Sequence, residues 1–385
     1  MDLAPGNKNL ITDIAGIQVG HAEDNKIGTG VTVIIGDKPF STAVDVRGGG
    51  PGTRETDMLS LENSIGRADA IVLSGGSAFG LDACSEVQDL LRQDNKGYKV
   101  GKAIVPLVPG AVIFDLNIND KPYVNTIGEY SPWRILANKA YKSANTDFLL
   151  GSFGAGCGAT TATLKGGQGS SSWLQTFSNG EKYTVGAIVI NNAVGNPLLN
   201  EGPHFLSAHL EFDDEFGGYG VCNDLYDNIL RAKRLPQSIG KTEIFDNISS
   251  NTVIGVVATD APLTRGNLKR LAIMAHDGIA RSLSPAHTPM DGDTIFSITT
   301  SQDIKEQVLD NIDILALGSR ASDCVARACN RAIYEAKPIG NSKVSFNLAI
   351  PFRKFSFPSS KVGWPFSSKR PASPNISALK YITLA

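Results

Sequence analysis

The chain has 385 residues, of which 42% are hydrophobic, and a formal net charge of −2. This length and composition can form one large domain or two ordinary ones, and the nearly neutral, evenly spread charge argues against nucleic acid or an anionic membrane as the main partner. No run reaches the roughly 18 apolar residues of a membrane span, and the N-terminus lacks the features of a signal peptide, so we expect a cytoplasmic protein.

The cysteines and histidines lack the spacings that bind metals. The five cysteines are odd in number and contain no C-x-x-C pair, which argues against a disulfide framework and a zinc cluster. The five histidines contain no HExxH, and His204 and His209 are not spaced as a ligand pair on one helix face. We therefore expect buried free thiols, no metal and no cofactor.

The segments 41–53, 68–83 and 183–196 each contain a strand-like apolar stretch followed by a glycine, asparagine or serine turn, which predicts a strand in each of them. Apolar residues three and four apart predict helices at GLDACSEVQDLLRQ, TRGNLKRLAIMAHDGIARSL and SRASDCVARACNRAIYEA. Strands that are apolar on both faces and covered by helices favour an α+β layered sandwich over a regular βαβ alternation.

The composition changes near Lys337. Residues 351–385 carry six lysines or arginines and no acidic residue, and they are rich in Pro and Ser without apolar periodicity. This is typical of a weakly ordered tail, although its aromatic residues would also allow docking on a neighbouring surface. We predict one folded domain over 1–336 and a basic extension over 337–385.

The segment GGSAFG at 75–80 has the strand, turn, helix order of a nucleophile elbow or a phosphate loop. It matches neither, because Phe79 stands where the elbow needs glycine and the GK[ST] ending of a phosphate loop is missing. A tight turn that lets a helix pack on a strand explains it. The alternative is that backbone amides of Gly75, Gly76 and Ser77 line a substrate pocket.

Two segments carry charged residues that could act in a catalytic site. In HTPMDGDTIFSITTS, Asp291 and Asp293 flank a glycine just before an alternating strand. They are either turn residues or carboxylates that orient a hydroxyl nucleophile and hold an ammonium group. Lys165 is a lone cation in the otherwise uncharged segment 154–172. It is either a strand-edge lysine or an electrostatic partner for an oxyanion or a carboxylate.

A polar run that ends at Asn251 stands directly before an apolar, β-branched run that begins at Thr252. Thr252 is either an ordinary first residue of a buried strand or a nucleophile. A threonine whose own α-amine is free can use that amine as its base, which would require the chain to cut itself between these two residues.

Together these segments resemble the family of self-processing aminopeptidases and amidases that contains the L-aminopeptidase/D-esterase, the β-peptidyl aminopeptidases and the nylon-oligomer hydrolase. The similarity runs from ITDIAGIQVGHAEDNKIGTGVTVI through AVDVRGGGPGTRETD, LSGGSAFGLDA, GAGCGATTATLKGGQGS, TVGAIVINNAVGN and NTVIGVVATDAPL to HTPMDGDTIFSITT, about residues 11–336. It implies an αββα sandwich like that of N-terminal-nucleophile hydrolases, made as one chain that cleaves itself before a Ser or Thr.

The resemblance also implies roles for individual residues. Thr252 matches the nucleophile of the threonine branch, Asn192 an oxyanion-binding amide, and Lys165, Asp291 and Asp293 the supporting polar shell. Phe114 is expected to be a substrate-binding residue, but it replaces a tyrosine of nylon-hydrolase-like members, so a contact through a phenol is not expected there.

At the level of the whole protein, the resemblance implies cleavage into 1–251 and 252–336 plus the extension. It further implies a small peptide or amide substrate with a free amino group, hydrolysed through an acyl-enzyme, and a homo-oligomer, a tetramer of processed units. Two other functions stay open at this point. One is a binding protein that keeps the sandwich but never cuts itself, and the other is an acyl (acetyl) transferase that uses the same threonine.

Overall fold

A computed structural model describes most of the chain. The described residues are 4–126, 128–162, 164–177, 180–199, 203–222, 251–302 and 309–342. They belong to one compact unit, Met1–Pro351. The backbone of Lys337 is bound by the Ser152 hydroxyl, so the chain stays attached to this unit past the predicted boundary at 336. The rest of the predicted extension, from residue 343, lies outside the described residues.

Within those residues one mixed sheet contains nine strands, in the order β3-β7-β4-β2-β11-β10-β9-β8 with β1 beside β2, and β5 and β6 form a separate hairpin. The pairs β4–β7 and β10–β11 are parallel, and the other pairs are antiparallel. The strands are β1 Ile17–Asp24, β2 Thr29–Val46, β3 Thr53–Arg54, β4 Arg67–Ser74, β5 Tyr98–Val100, β6 Ala103–Val105, β7 Gly110–Val112, β8 Gly167–Thr176, β9 Lys182–Asn192, β10 Thr252–Thr259 and β11 Thr294–Thr299.

The three helices predicted from apolar spacing are confirmed, and the last begins earlier than predicted. The helices of the described chain are α1 Asp82–Gln93, α2 Pro122–Asn125, α3 Pro132–Lys142, α4 Arg265–Ser282 and α5 Asn311–Tyr334. Thr264 caps α4 by accepting from the N–H of Asn267, and Asp310 caps α5. Side chains that satisfy free N–H groups at the first turn fix where these helices begin.

Three hydrophobic clusters separate four layers. The first lies between helices α4 and α5 and strands β8 to β11, and includes Val253 and Val257. The second lies between the two halves of the sheet and includes Ile254 and Val256. The third lies between strands β2 and β4 and helices α1 and α3. Alternate residues of β10 thus face different cores, as the period of a strand requires. The order is helix, sheet, sheet, helix, so the predicted αββα sandwich is confirmed.

The two sheet layers are joined by strand β2, which takes part in both. Its first half pairs with β1 and β4, and residues 41–46 pair with β11. Its register with β4 shifts between Ile35 and Phe40. An irregularity of this kind bends a strand without ending it, so one hydrogen-bonded sheet folds back on itself.

Two further predictions concern bulk properties. All five cysteines are buried and free of disulfides, as predicted. In the described part of the chain, each helix is too short or too polar to cross a membrane.

Candidate active site

The first residue of β10 and the last residue of β9 lie side by side. Thr252 pairs with Asn192 in the antiparallel register, so both side chains lie on the same face. Ile254 and Val256 share that face and belong to the core between the sheet layers. Thr252 is 4% exposed and Asn192 1%. Strand alternation therefore places a hydroxyl beside a side-chain amide at one end of the middle core.

The hydroxyl of Thr252 contacts the carbonyl of the preceding residue. Its Oγ1 lies 2.5 Å from the carbonyl oxygen of Asn251 and donates to it. The backbone N–H of Gly292 donates to Oγ1 and to the same carbonyl oxygen, each at 3.1 Å. The hydroxyl therefore lies against the 251–252 peptide bond. The N–H of Gly292 points at the oxygen on which charge would develop if that carbonyl were attacked.

Glycine is required where the loops around Thr252 approach each other. A Cβ on Gly292 would lie 3.0 Å from Thr252 Oγ1 and 2.8 Å from the carbonyl oxygen of Gly50. A Cβ on Gly48 would lie 2.2 Å from the carbonyl oxygen of Asp291. The N–H of Gly50 donates to that same oxygen at 2.8 Å. The RGGG segment thus packs its backbone directly on the MDGD segment, which side chains would prevent.

Asp291 and Asp293 accept hydrogen bonds from backbone N–H groups of three different segments around the site. Asp291 accepts from the N–H of Thr288 at 2.8 Å and of Val194 at 3.4 Å. Asp293 Oδ1 accepts from the N–H of Val253 at 2.7 Å. Burial, and then the neighbouring Asp293, raise the pKa of Asp291. Asp293 therefore binds the strand that carries the hydroxyl, whereas Asp291 joins its own loop to the segment that follows Asn192.

The side-chain amide of Asn192 is held at both ends. Its Oδ1 accepts from the N–H of Thr160 at 2.8 Å, and its Nδ2 donates to the carbonyl oxygen of Phe114 at 3.2 Å. The contact with Phe114 thus uses the backbone, which a phenylalanine supplies as well as a tyrosine. Fixing Oδ1 on Thr160 leaves Nδ2 as the end that can donate to a second acceptor.

Lys165 is fully buried and binds backbone rather than a carboxylate. Its Nζ donates to the carbonyl oxygens of Ala159 at 2.7 Å, Gly166 at 2.8 Å and Gly156 at 3.0 Å. Burial lowers the pKa of Lys165 to about 7, and the nearby Cys157 and Asp115 partly offset this. Three acceptors match the three hydrogens of an ammonium group. Since Thr160 lies inside this loop, Lys165 is connected to the site through the residue that orients Asn192.

The Gly75–Ser77 turn is hydrogen-bonded to the residues on either side of Phe114. Gly75 N–H donates to Gly30, Gly76 N–H to the Asp115 carboxylate and Ser77 N–H to Ile113, each at 2.9 Å. All three amides are therefore engaged within the protein. A role of this turn in substrate binding stays a prediction, and it cannot rest on these amides.

Two histidines, His276 and His287, lie beside the site, and the sequence predicts no role for either of them. His287 Nδ1 lies 2.7 Å from Asp293 Oδ2, and the rings of His287 and His276 are 5.0 Å apart. Among the described residues, no group of three or more His, Cys, Asp or Glu is arranged to hold a metal ion. The signal in the sequence was the position of His287 just before MDGD. The N–H of Gly292, a backbone group, left no such signal.

Comparison with known proteins gives a consistent set of matches. Residues 9–345 match the family model of peptidase family S58. A protein described as an uncharacterized aminopeptidase, from Mycobacterium leprae, is 37% identical over 361 residues, or 88% of this chain and 94% of that protein. A 6-aminohexanoate-oligomer endohydrolase from Kocuria sp. is 27% identical over 319 residues, or 78% of this chain and 79% of that protein.

A solved structure has the same fold. The L-aminopeptidase D-ala-esterase/amidase from Ochrobactrum anthropi matches with a TM-score of 0.65 at 21% sequence identity, over 89% of this chain and 92% of that chain. That protein is described as a variant among the Ntn hydrolase fold.

Proposed function

Because the chain belongs to peptidase family S58, and is thus a hydrolase of the aminopeptidase and amidase type, we propose that it cuts itself before Thr252 and then uses this threonine as an N-terminal nucleophile. The observation that carries the proposal is the contact of Thr252 Oγ1 with the carbonyl of Asn251, at 2.5 Å between the oxygens. The substrates are small peptides or amides with a free amino group.

In the self-cleavage step, Oγ1 attacks the carbonyl carbon of Asn251 and the C–N bond to Thr252 breaks. The acyl group moves from nitrogen to oxygen, and the hydroxyl proton ends on the nitrogen. Water then hydrolyses the ester, which leaves a carboxylate on Asn251 and a free amine on Thr252. The N–H of Gly292 supports this step, because it already donates to the carbonyl oxygen that becomes negative.

In turnover, the new α-amine takes the proton of Oγ1, directly or through a water. An α-amine has a pKa of about 7.7–8.0, against about 10.4 for a lysine, so a useful fraction is unprotonated at neutral pH. The hydroxyl attacks the substrate amide, the amine protonates the leaving group, and water hydrolyses the acyl-enzyme. We assign stabilisation of the oxyanion to Asn192 Nδ2 and Gly292 N–H, because Asn192 is the strand partner of Thr252 and the N–H of Gly292 donates to its Oγ1.

Gel mobility tests the cleavage. Scaling the mass of 40.8 kDa by residue number gives fragments of about 27 and 14 kDa from a cut after Asn251. Thr252→Ala removes the attacking hydroxyl and should give one uncut, inactive chain. Thr259→Ala is a matched control, because Thr259 is buried in the same strand and should be dispensable for cleavage. Two fragments from Thr252→Ala would contradict the assignment.

The substrate class is tested separately on the processed protein. The relatives are described as an aminopeptidase and as a 6-aminohexanoate-oligomer endohydrolase. A suitable screen therefore contains aminoacyl p-nitroanilides, β-amino-acid amides, D-amino-acid amides and 6-aminohexanoate oligomers. Each is paired with its N-acetylated form, and loss of hydrolysis on acetylation is expected if a free amino group is recognised.

A further inference from the structure

His287 is bonded twice to one oxygen of the Asp293 carboxylate. Its ring Nδ1 lies 2.7 Å from Asp293 Oδ2, and its backbone N–H donates to the same oxygen at 3.1 Å. Asp293 is 1% exposed, so this carboxylate is almost completely removed from water. A buried carboxylate needs such donors, because without them the charged form is costly.

The backbone of His287 adopts an uncommon conformation that makes this double contact. Its φ is +55°, in the left-handed region that residues other than glycine rarely occupy. Strained backbone of this kind persists only where the surroundings hold it, and it is concentrated at functional sites.

The other oxygen of Asp293 acts on the strand that carries the proposed nucleophile. Oδ1 accepts from the N–H of Val253, the peptide group that directly follows Thr252. Regular pairing of β10 with β11 begins one residue later, at Ile254 and Thr294. At the start of β10, the Asp293 side chain therefore accepts the hydrogen bond that a neighbouring strand would otherwise accept. It thereby fixes the peptide plane next to Thr252.

A second histidine packs against the ring of His287. The His276 ring lies edge-on at 5.0 Å, and its Nε2 lies 3.0 Å from the carbonyl oxygen of Asp45. Burial, more than any other influence, lowers the pKa of His276 to about 4. His276 is thus neutral at pH 7 with the proton on Nε2, because a carbonyl oxygen can only accept. It holds the His287 ring in place without adding a charge.

We propose that His287 is a positioning residue for the chemistry at Thr252: through its Nδ1–H it holds Asp293 on the N–H of Val253, and so fixes the hydroxyl for both self-cleavage and turnover. This inference rests on the proposed function of Thr252. The proton is on Nδ1, because the partner is a carboxylate oxygen. His287 itself makes no contact with the reacting atoms in this scheme.

Two variants separate the ring from the backbone. His287→Gly accepts a φ of +55° but removes the Nδ1–H donor. His287→Asn also tolerates this conformation, and its side-chain NH₂ can reach about the position of Nδ1. In His287→Gly, we expect kcat and the first-order rate of self-cleavage to fall about ten-fold or more, as for loss of a hydrogen bond to a charged group, with little change in KM. His287→Asn should recover most of both rates.

Either of two kinetic results would overturn the proposal. One is a His287→Gly protein that processes and hydrolyses at the parent rates. The other is a His287→Asn protein that is as slow as His287→Gly, which would mean that the ring acts by packing and not as a donor. Thermal unfolding of both variants, made in the uncut Thr252→Ala chain, controls for a general loss of stability.

An NMR measurement tests the contact without any activity. The chain has only five histidines, so ¹⁵N-histidine labelling of Thr252→Ala gives few signals to assign. We expect a hydrogen-bonded proton on Nδ1 of His287, and a change in that signal in Asp293→Ala. An Nε2–H tautomer would refute the proposal for His287. Failure of the parent protein to cut itself would instead refute the function proposed for Thr252.

Discussion

Substitution of Lys165 by Met tests whether this lysine holds a loop together or acts directly on the reacting groups. The sequence left both interpretations open, as a strand-edge lysine or an electrostatic partner. In the structure its ammonium group donates to the carbonyl oxygens of Gly156, Ala159 and Gly166 and is fully buried. Met has a similar length and shape, so Lys165→Met removes the donors with little change in packing.

The size of the effect follows from the three carbonyl groups that lose their donor. A buried polar group left without a partner costs about 1–3 kcal/mol, so three would cost about 3–9 kcal/mol if nothing relaxed. Relief of the cost of burying a charge, and movement of this glycine-containing loop, reduce that figure. We therefore expect a loss of about 3 kcal/mol in the free energy of unfolding, or about 4 °C in Tm for a chain of this size.

Calorimetry of the uncut Thr252→Ala chain, with and without Lys165→Met, measures this loss on a single covalent chain. Lys139→Met, at an exposed position of α3, is the matched control and should change Tm by less than about 1 °C. A Lys165→Met chain that is as stable as its parent, but inactive when Thr252 is present, would refute the role of Lys165 in holding the loop and would favour direct action on the oxyanion.

Three more outcomes are expected. Thr252→Ser should still cut itself, though at a changed rate, because the hydroxyl remains while the β-methyl that limits its rotamers is lost; an uncut Ser variant on a gel would contradict hydroxyl chemistry. Asp291→Asn and Asp293→Asn should each slow turnover about ten- to a hundred-fold, and at least one should slow self-cleavage; parent rates in both would make them ordinary turn residues. As the pH falls from 6.5 to 4, the free energy of unfolding of Thr252→Ala should decrease by up to about 3 kcal/mol more than that of Thr252→Ala with His276→Gln, as measured by urea titration. The reason is that the pKa of His276 in the folded chain is lowered to about 4, so only the unfolded chain gains a proton in this pH range. An equal dependence on pH in the two proteins would contradict this.

The sequence predicted best those elements whose pattern is local. The apolar run after Thr252 predicts a buried strand, and the structure has a buried strand there, with alternate residues in two different cores. The strand predicted within 41–53 is only the end of β2, which begins at Thr29. The residues Gly36, Asp37 and Pro39 look like a turn between strands. They belong to an irregular stretch of one strand, and the partners that keep it extended are far away in the sequence.

The sequence identified most residues of the candidate site but not the contacts between them. Thr252, Asn192, Asp291 and Asp293 were named from the sequence, and they lie together because β9, β10 and β11 are neighbours in the sheet. The partners of Lys165 could not be predicted, since they are backbone oxygens of a loop that folds back on it. The contact of His287 with Asp293 depends on a left-handed backbone angle that residue identity does not specify.

The position of the proposed cut in the sheet explains how one strand end can be freed while the strand stays fixed. Strand β10 pairs along its whole length with β9, which precedes the cut, and β11 pairs with β2 near the start of the chain. On α5, the buried Arg327 binds Glu215 at 2.5 Å, again across the two sides of the cut. Among the described residues, the pairings of β10 with β9 and of β11 with β2 therefore do not depend on the 251–252 bond. If the proposed cut occurs, the nitrogen of Thr252 becomes a free amine while Asp293 still binds the N–H of Val253 and β10 still pairs with β9.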